Sequence, residues 1–111
     1  MNVDPVAALE RRLGHSFADR ELLTRALTHA SFAAEHPPEE HHEPLAFVGD
    51  AALSLVVAEH LFAAEPAAAV GRLTPLRAGL VADDTLARWA AVLELGPLLR
   101  LGRGAEQEGG R

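Results

Sequence analysis

His42-Glu43-Pro44-Leu45-Ala46-Phe47-Val48-Gly49-Asp50-Ala51-Ala52-Leu53 is the stretch on which the fold turns. It places one carboxylate, Asp50, inside an almost wholly apolar run that continues to Ala64. A charged group is costly to bury without a partner or a metal, so a reason for Asp50 is expected. Leu45, Val48, Ala52, Leu53, Leu55, Val56, Val57, Leu61 and Phe62 cover more than one helical face. Such a helix is expected to be central rather than peripheral. Pro44 suits its first turn and Pro66 ends it.

Glu43, Ala46, Asp50 and Ser54 lie on one face of that helix. Two acids one turn apart on such a face hold a hard divalent cation through carboxylate oxygens. A cation so held activates water and stabilises a phosphoryl transition state. Here the position one turn before Asp50 is Ala46, which has no oxygen to offer. On spacing alone the plainer reading is favoured: Asp50 caps a neighbouring segment or pairs with an arginine such as Arg77. Glu43 at the helix start also suits the macrodipole.

The flanking chain reads as helices throughout. Val6–Leu13 is a short amphipathic helix stopped by Gly14, with Phe17 in the turn beyond. Asp19 is an N-cap for a second helix carrying Leu22, Leu23, Ala26, Leu27 and Ala30, with His29, Ser31 and Phe32 near its end. Glu35–His42 is a polar loop with Pro37-Pro38 and His36, His41 and His42. A His-rich tract can bind metal, but no ligand spacing accompanies this one, and a solvated loop is the preferred reading. Thr74-Pro75 reads as a helix start, Asp83-Asp84 as an interruption, and Gly96-Pro97 as a break. Residues 103–111 read as a flexible, Gly-rich tail. No strand-like alternation is present, so the expected class is all-α.

The composition narrows the classes of function. At 111 residues the chain is expected to be one domain, and nearly half of it (49%) is hydrophobic, which tells against disorder. The absence of cysteine excludes disulfides, thiolate metal sites and cysteine nucleophiles. The formal charge is −6, and all ten basic residues are arginine, with no basic stripe. That tells against loose, nonspecific nucleic-acid binding but leaves room for carboxylates that hold Mg²⁺ against phosphates. Met1–Glu10 lacks the pattern of a signal peptide. With Asp50 and Glu59-His60 as interruptions, no apolar run is expected to reach a membrane span.

Glu43-Pro44-Leu45-Ala46-Phe47-Val48-Gly49-Asp50-Ala51-Ala52-Leu53 resembles the signature of the ribonuclease III family, N-E-x-L-E-F-L-G-D-A-x-L. The likeness runs along nearly the whole chain. Leu9-Glu10, Leu13-Gly14-His15 and Phe17 resemble the family's opening helix, and Leu22-Leu23 with Ala26-Leu27-Thr28-His29-Ala30-Ser31-Phe32 its A-L-T-H-x-S segment. Leu73-Thr74, Leu76-Arg77, Leu80-Val81 and Thr85-Leu86-Ala87 resemble the following helices, and Leu95-Gly96, Leu99-Arg100-Leu101-Gly102, Gly104 and Gly109-Gly110-Arg111 the approach to a second acidic helix.

The resemblance implies an all-helical endonuclease domain that forms a homodimer and cleaves double-stranded RNA with Mg²⁺ in cytoplasmic RNA processing. It implies four acids, two on the signature helix and two on a later helix starting just after Arg111. Asp50 matches the second signature acid and a metal ligand; Ala46 stands at the first. Glu43 matches an acid near the site, and Phe47 an aromatic that inserts into the partner subunit. The expectation is therefore a ribonuclease III-like domain over 1–111, incomplete at its C-terminus, without a double-stranded RNA-binding domain, and impaired or inactive. A non-catalytic RNA-binding or assembly protein and a bare dimerisation module are the alternatives.

Overall fold

The computed structural model describes residues 4–107. Among them the regular structure is all helical: α1 (Pro5–Leu13), α2 (Arg20–Ala26), α3 (Ala30–Glu35), α4 (Glu43–Ala64), α5 (Val70–Leu80), α6 (Asp83–Val92) and α7 (Arg103–Gln107), with a 3₁₀ turn at Gly96–Leu98. The chain divides into two compact units, one built from residues up to Ala46 and from Ala90 onward, the other from Phe47 to Trp89.

In the first unit, local chemistry sets the helix ends. The Asp4 carboxylate accepts the Val6 N–H at 3.0 Å and starts α1. Gly14 closes α1 at φ 69°, a left-handed conformation that glycine adopts without a Cβ penalty. Asp19 caps α2 as expected, accepting the Leu22 N–H at 3.1 Å. The expected single helix through Ala30 is instead two helices, broken at Leu27–His29. The break arises because Leu27 O accepts the Arg100 N–H at 2.8 Å and His29 N–H donates to Arg100 O at 2.9 Å. A residue far along the chain thus takes the backbone groups that a continuous helix would use.

Among the described residues, Leu9, Leu23, Ala33 and Leu101 are the buried apolar side chains of this unit. Ion pairs tie its surface: Arg20 to Glu10 at 2.8 Å, Arg25 to Glu40 at 2.9 Å, and Arg12 to Glu94 at 3.2 Å. Glu10 also accepts the Phe17 N–H at 2.7 Å, which seats the turn after α1. The histidine loop is structural rather than simply solvated. His42 is half-buried and donates through Nδ1 to Thr28 O at 3.0 Å, while the His36 ring stacks on Phe32 at 4.0 Å.

The second unit holds most of α4, then α5 and most of α6. α5 starts at Val70, so Pro75 lies inside it rather than at its first turn, at the cost of one backbone hydrogen bond. The interruption falls at Val81 and Ala82, just before Asp83 and Asp84, which lie in the first turn of α6. Arg72 reaches back to Glu65 at 2.8 Å, and this hydrogen bond, with the charge attraction behind it, holds the guanidinium above its ordinary pKa.

Two expectations about α4 are corrected. Its length matches the sequence reading, but it is not buried: Val57 is its one buried residue among those described. α5 and α6 do not cover it. A cavity of about 170 Å³ lined by Ala58, Leu61, Val70, Leu73, Thr74 and Arg77 remains beside it, and Val70 and Trp89 are themselves exposed. α4 is also long and apolar enough, at 22 residues and a mean hydropathy of 1.6, to cross a membrane by length and composition. Asp50 and the Glu59-His60 pair do not interrupt the run enough to prevent that. Of the expected tail, Arg103–Gln107 forms α7, and 108–111 lie outside the described residues.

Candidate active site

α4 is continuous from Glu43 to Ala64, so Ala46 and Asp50 stand one turn apart on one helix, as their spacing requires. The helix start is well made. His41 Nδ1 accepts the Glu43 N–H at 3.2 Å, and His42 O accepts the Ala46 N–H at 2.8 Å. Pro44 occupies a position whose N–H has no intrahelical partner to lose. Glu43, the acid in the first turn of α4, is exposed.

Asp50 is exposed too, which corrects the expectation of a buried acid. Its apolar neighbours on α4 face solvent as well, so no low-dielectric wall surrounds it. Among the described residues it makes no hydrogen bond and no ion pair, with Arg77 or with any other residue. Both plain explanations, a cap and an ion pair, are therefore unsupported by the geometry. Phe47 is 83% exposed, more than any other large apolar side chain described. Ser54, a turn beyond Asp50, is half-buried.

Among the described residues, no three His, Cys, Asp or Glu side chains come together as a cation would need. Ala46 supplies only a methyl group beside Asp50. Among the described residues, Asp50 and Glu43 by themselves supply too few oxygens to complete a magnesium site.

The residues best organised by hydrogen bonding lie elsewhere, in the first unit, and sequence spacing alone did not single them out. Thr28 has no accessible surface. Its hydroxyl donates to Thr24 O at 2.6 Å and accepts from Arg100 Nη1 at 3.1 Å. Arg100 lies over the Phe32 ring at 4.2 Å and pairs with Glu39 at 3.3 Å. The partners are distant in sequence, so only the Thr-His-x-Ser segment itself could have drawn attention to them.

An all-helical domain with an exposed carboxylate on its longest helix defines the class, and known proteins sharpen it. The family described as Ribonuclease-III-like matches residues 19–111. Ribonuclease 3 of Nitratidesulfovibrio vulgaris is 49% identical over 99% of this chain, and Ribonuclease 3 of Pelotomaculum thermopropionicum is 46% identical over 97%. The chain spans 44% and 46% of those relatives, less than half their length. A nuclease domain of ribonuclease III from Campylobacter jejuni superposes with a TM-score of 0.85 at 39% identity, covering 97% of this chain and 71% of that one. A second structure of that domain, described for flexibility in a region involved in dimer formation, also has a TM-score of 0.85, at 40% identity. The chain belongs to the ribonuclease III family, and its fold is that of the nuclease domain.

Proposed function

We propose that this chain is a nuclease-fold domain directed at double-stranded RNA in cytoplasmic RNA processing, acting as a homodimer, with its own cleavage strongly impaired. The observation that carries this is Ala46. The helix that bears Asp50 and Glu43 is intact, yet the position one turn before Asp50 carries no oxygen. Alanine keeps the helix propensity of that position while removing a ligand. Asp50 is the acid assigned to the site, Glu43 the acid at its edge, and Phe47 the contact with the partner subunit. The fold persists without the chemistry because helix packing does not depend on the missing carboxylate. The domain assignment to residues 1–111 belongs to the same proposal.

Incubation with long double-stranded RNA and Mg²⁺ tests it. RNA is expected to be retained and left uncut by the unaltered chain. Mg²⁺-dependent cleavage would overturn the impairment, and Ala46→Glu measured beside it reports whether that one position limits activity. Loss of retention would favour a bare dimerisation module, a reading supported by the exposed apolar surface of α4 and the net negative charge.

A further inference from the structure

Val70, Leu73, Thr74 and Arg77 recur at i, i+3, i+4 and i+7 and so share one face of α5. Across from them on α4 stand Ala58 and Leu61, one turn apart. Together these side chains line a cavity of about 170 Å³. Ala58 brings only a methyl group to a wall where a larger side chain would fill the space. An apolar cavity of about 150 Å³ admits a benzene-sized group, so there is room here for a single ring or a short branched chain. Two polar groups interrupt the apolar wall. Neither the Thr74 hydroxyl nor the Arg77 guanidinium has a hydrogen bond or ion pair among the described residues. By contrast, Arg12, Arg20, Arg25, Arg72 and Arg100 are each paired with a carboxylate. In a chain with 16 acids to 10 arginines, an arginine without such a partner stands out. No carboxylate lines the cavity, so the charge at its wall is positive.

We propose that this cavity binds small apolar carboxylates. The apolar body enters between Leu61, Val70 and Leu73, and the carboxylate remains at the mouth, on the Arg77 guanidinium and the Thr74 hydroxyl. The planar fork of a guanidinium matches the two oxygens of a carboxylate. Thr74, three residues before Arg77, is its neighbour on the helix surface and supplies a further donor. The driving force is removal of the apolar body from water into a space whose walls offer water few partners. The two halves depend on each other. An anion alone, on a guanidinium exposed to solvent, gains little over water. A neutral body of the same shape fills the cavity and leaves the Arg77 charge unused. The class selected is therefore a single carboxylate on a body of about one ring.

Phenylacetate, titrated into the 111-residue chain and followed by methyl NMR, is the test. Saturable shifts are expected at the methyl groups of Ala58, Leu61, Val70 and Leu73, with a Kd below about 1 mM. Phenylacetamide has the same shape without the charge and should bind at least about fivefold more weakly. Arg77→Gln should weaken phenylacetate by a similar factor and leave phenylacetamide unchanged, a difference that a merely structural role would not produce. Ala58→Phe fills the cavity and should abolish binding of both probes. Arg77 is exposed, so its variant decides the matter even if Ala58→Phe fails to fold. Absence of saturable shifts up to about 10 mM phenylacetate, equal affinity for the two probes, or shifts away from these methyl groups would overturn the site. Inorganic phosphate binding as tightly as phenylacetate would also overturn it, by reducing it to an anion contact on Arg77. Affinity that falls as protein concentration rises would give the cavity to a second copy of the chain and reject the small ligand. No RNA is present, so the outcome is independent of the nuclease reading.

Discussion

Thr28 shows what a fully buried polar residue needs. Its N–H donates to Arg25 O at 3.0 Å, its carbonyl accepts the His42 N–H at 2.9 Å, and its hydroxyl is engaged both as donor and as acceptor. Replacing it by an isosteric valine keeps the shape and removes two hydrogen bonds. The Arg100 guanidinium retains Glu39, so the loss falls mainly on the buried hydroxyl contacts. Thr28→Val is expected to cost about 1–3 kcal/mol of unfolding free energy, measured by urea denaturation. Thr28→Ser, which keeps the hydroxyl, should lose less. No measurable loss in Thr28→Val, with a larger loss in Thr28→Ser, would assign the contribution to the methyl group instead. Asp50 is the opposite case. Its position on α4 could be read from residue spacing, but its exposure could not, because burial belongs to the neighbours and not to the residue.

Among the elements, what was legible in the sequence is what short-range chemistry decides. The Asp19 cap, the Gly14 stop and the extent of α4 all follow from residues within one or two turns of the boundary. The break between α2 and α3 was not legible, since it depends on backbone hydrogen bonds to Arg100. The start of α5 was misplaced for a different reason: Thr74-Pro75 carries a good local start signal, and tertiary context outweighs it with a turn begun at Ala69. The candidate site was legible in the same partial way. Glu43, Ala46, Phe47 and Asp50 share the expected helix, whereas their solvent exposure is a matter of packing. α3 and the segment after Leu101 supply the element-scale prediction. Gly102 has no room for a side chain, so Gly102→Ala must displace Ser31 or Glu35. It is expected to destabilise the fold by about 1–3 kcal/mol in denaturation experiments, a typical cost of overpacking. The Arg103 amide should lose protection in the same variant. Gly14→Ala makes a useful comparison, because there the strain is backbone conformation with open space around it.

For the whole molecule, the balance of buried and exposed apolar groups is uneven. Among the described residues, Phe47, Val48, Leu55, Val56 and Phe62 all lie exposed on α4, whereas five apolar side chains are buried. Exposed apolar surface of this extent calls for cover, and the proposed homodimer would provide it through Phe47 and its neighbours. Opposing that association is a formal charge of −6 on each copy, which repels a second copy most strongly at low ionic strength. The two effects predict a distinctive salt response. Sedimentation equilibrium should show a concentration-dependent dimer that strengthens as salt is raised, the reverse of a complex held by ion pairs. Phe47→Asp should weaken the dimer by at least about tenfold in Kd, since an exposed aromatic anchor becomes a charge that would have to be desolvated at the interface. A monomer at high concentration and high salt would reject the homodimer, and association that Phe47→Asp leaves unchanged would move the interface off the start of α4.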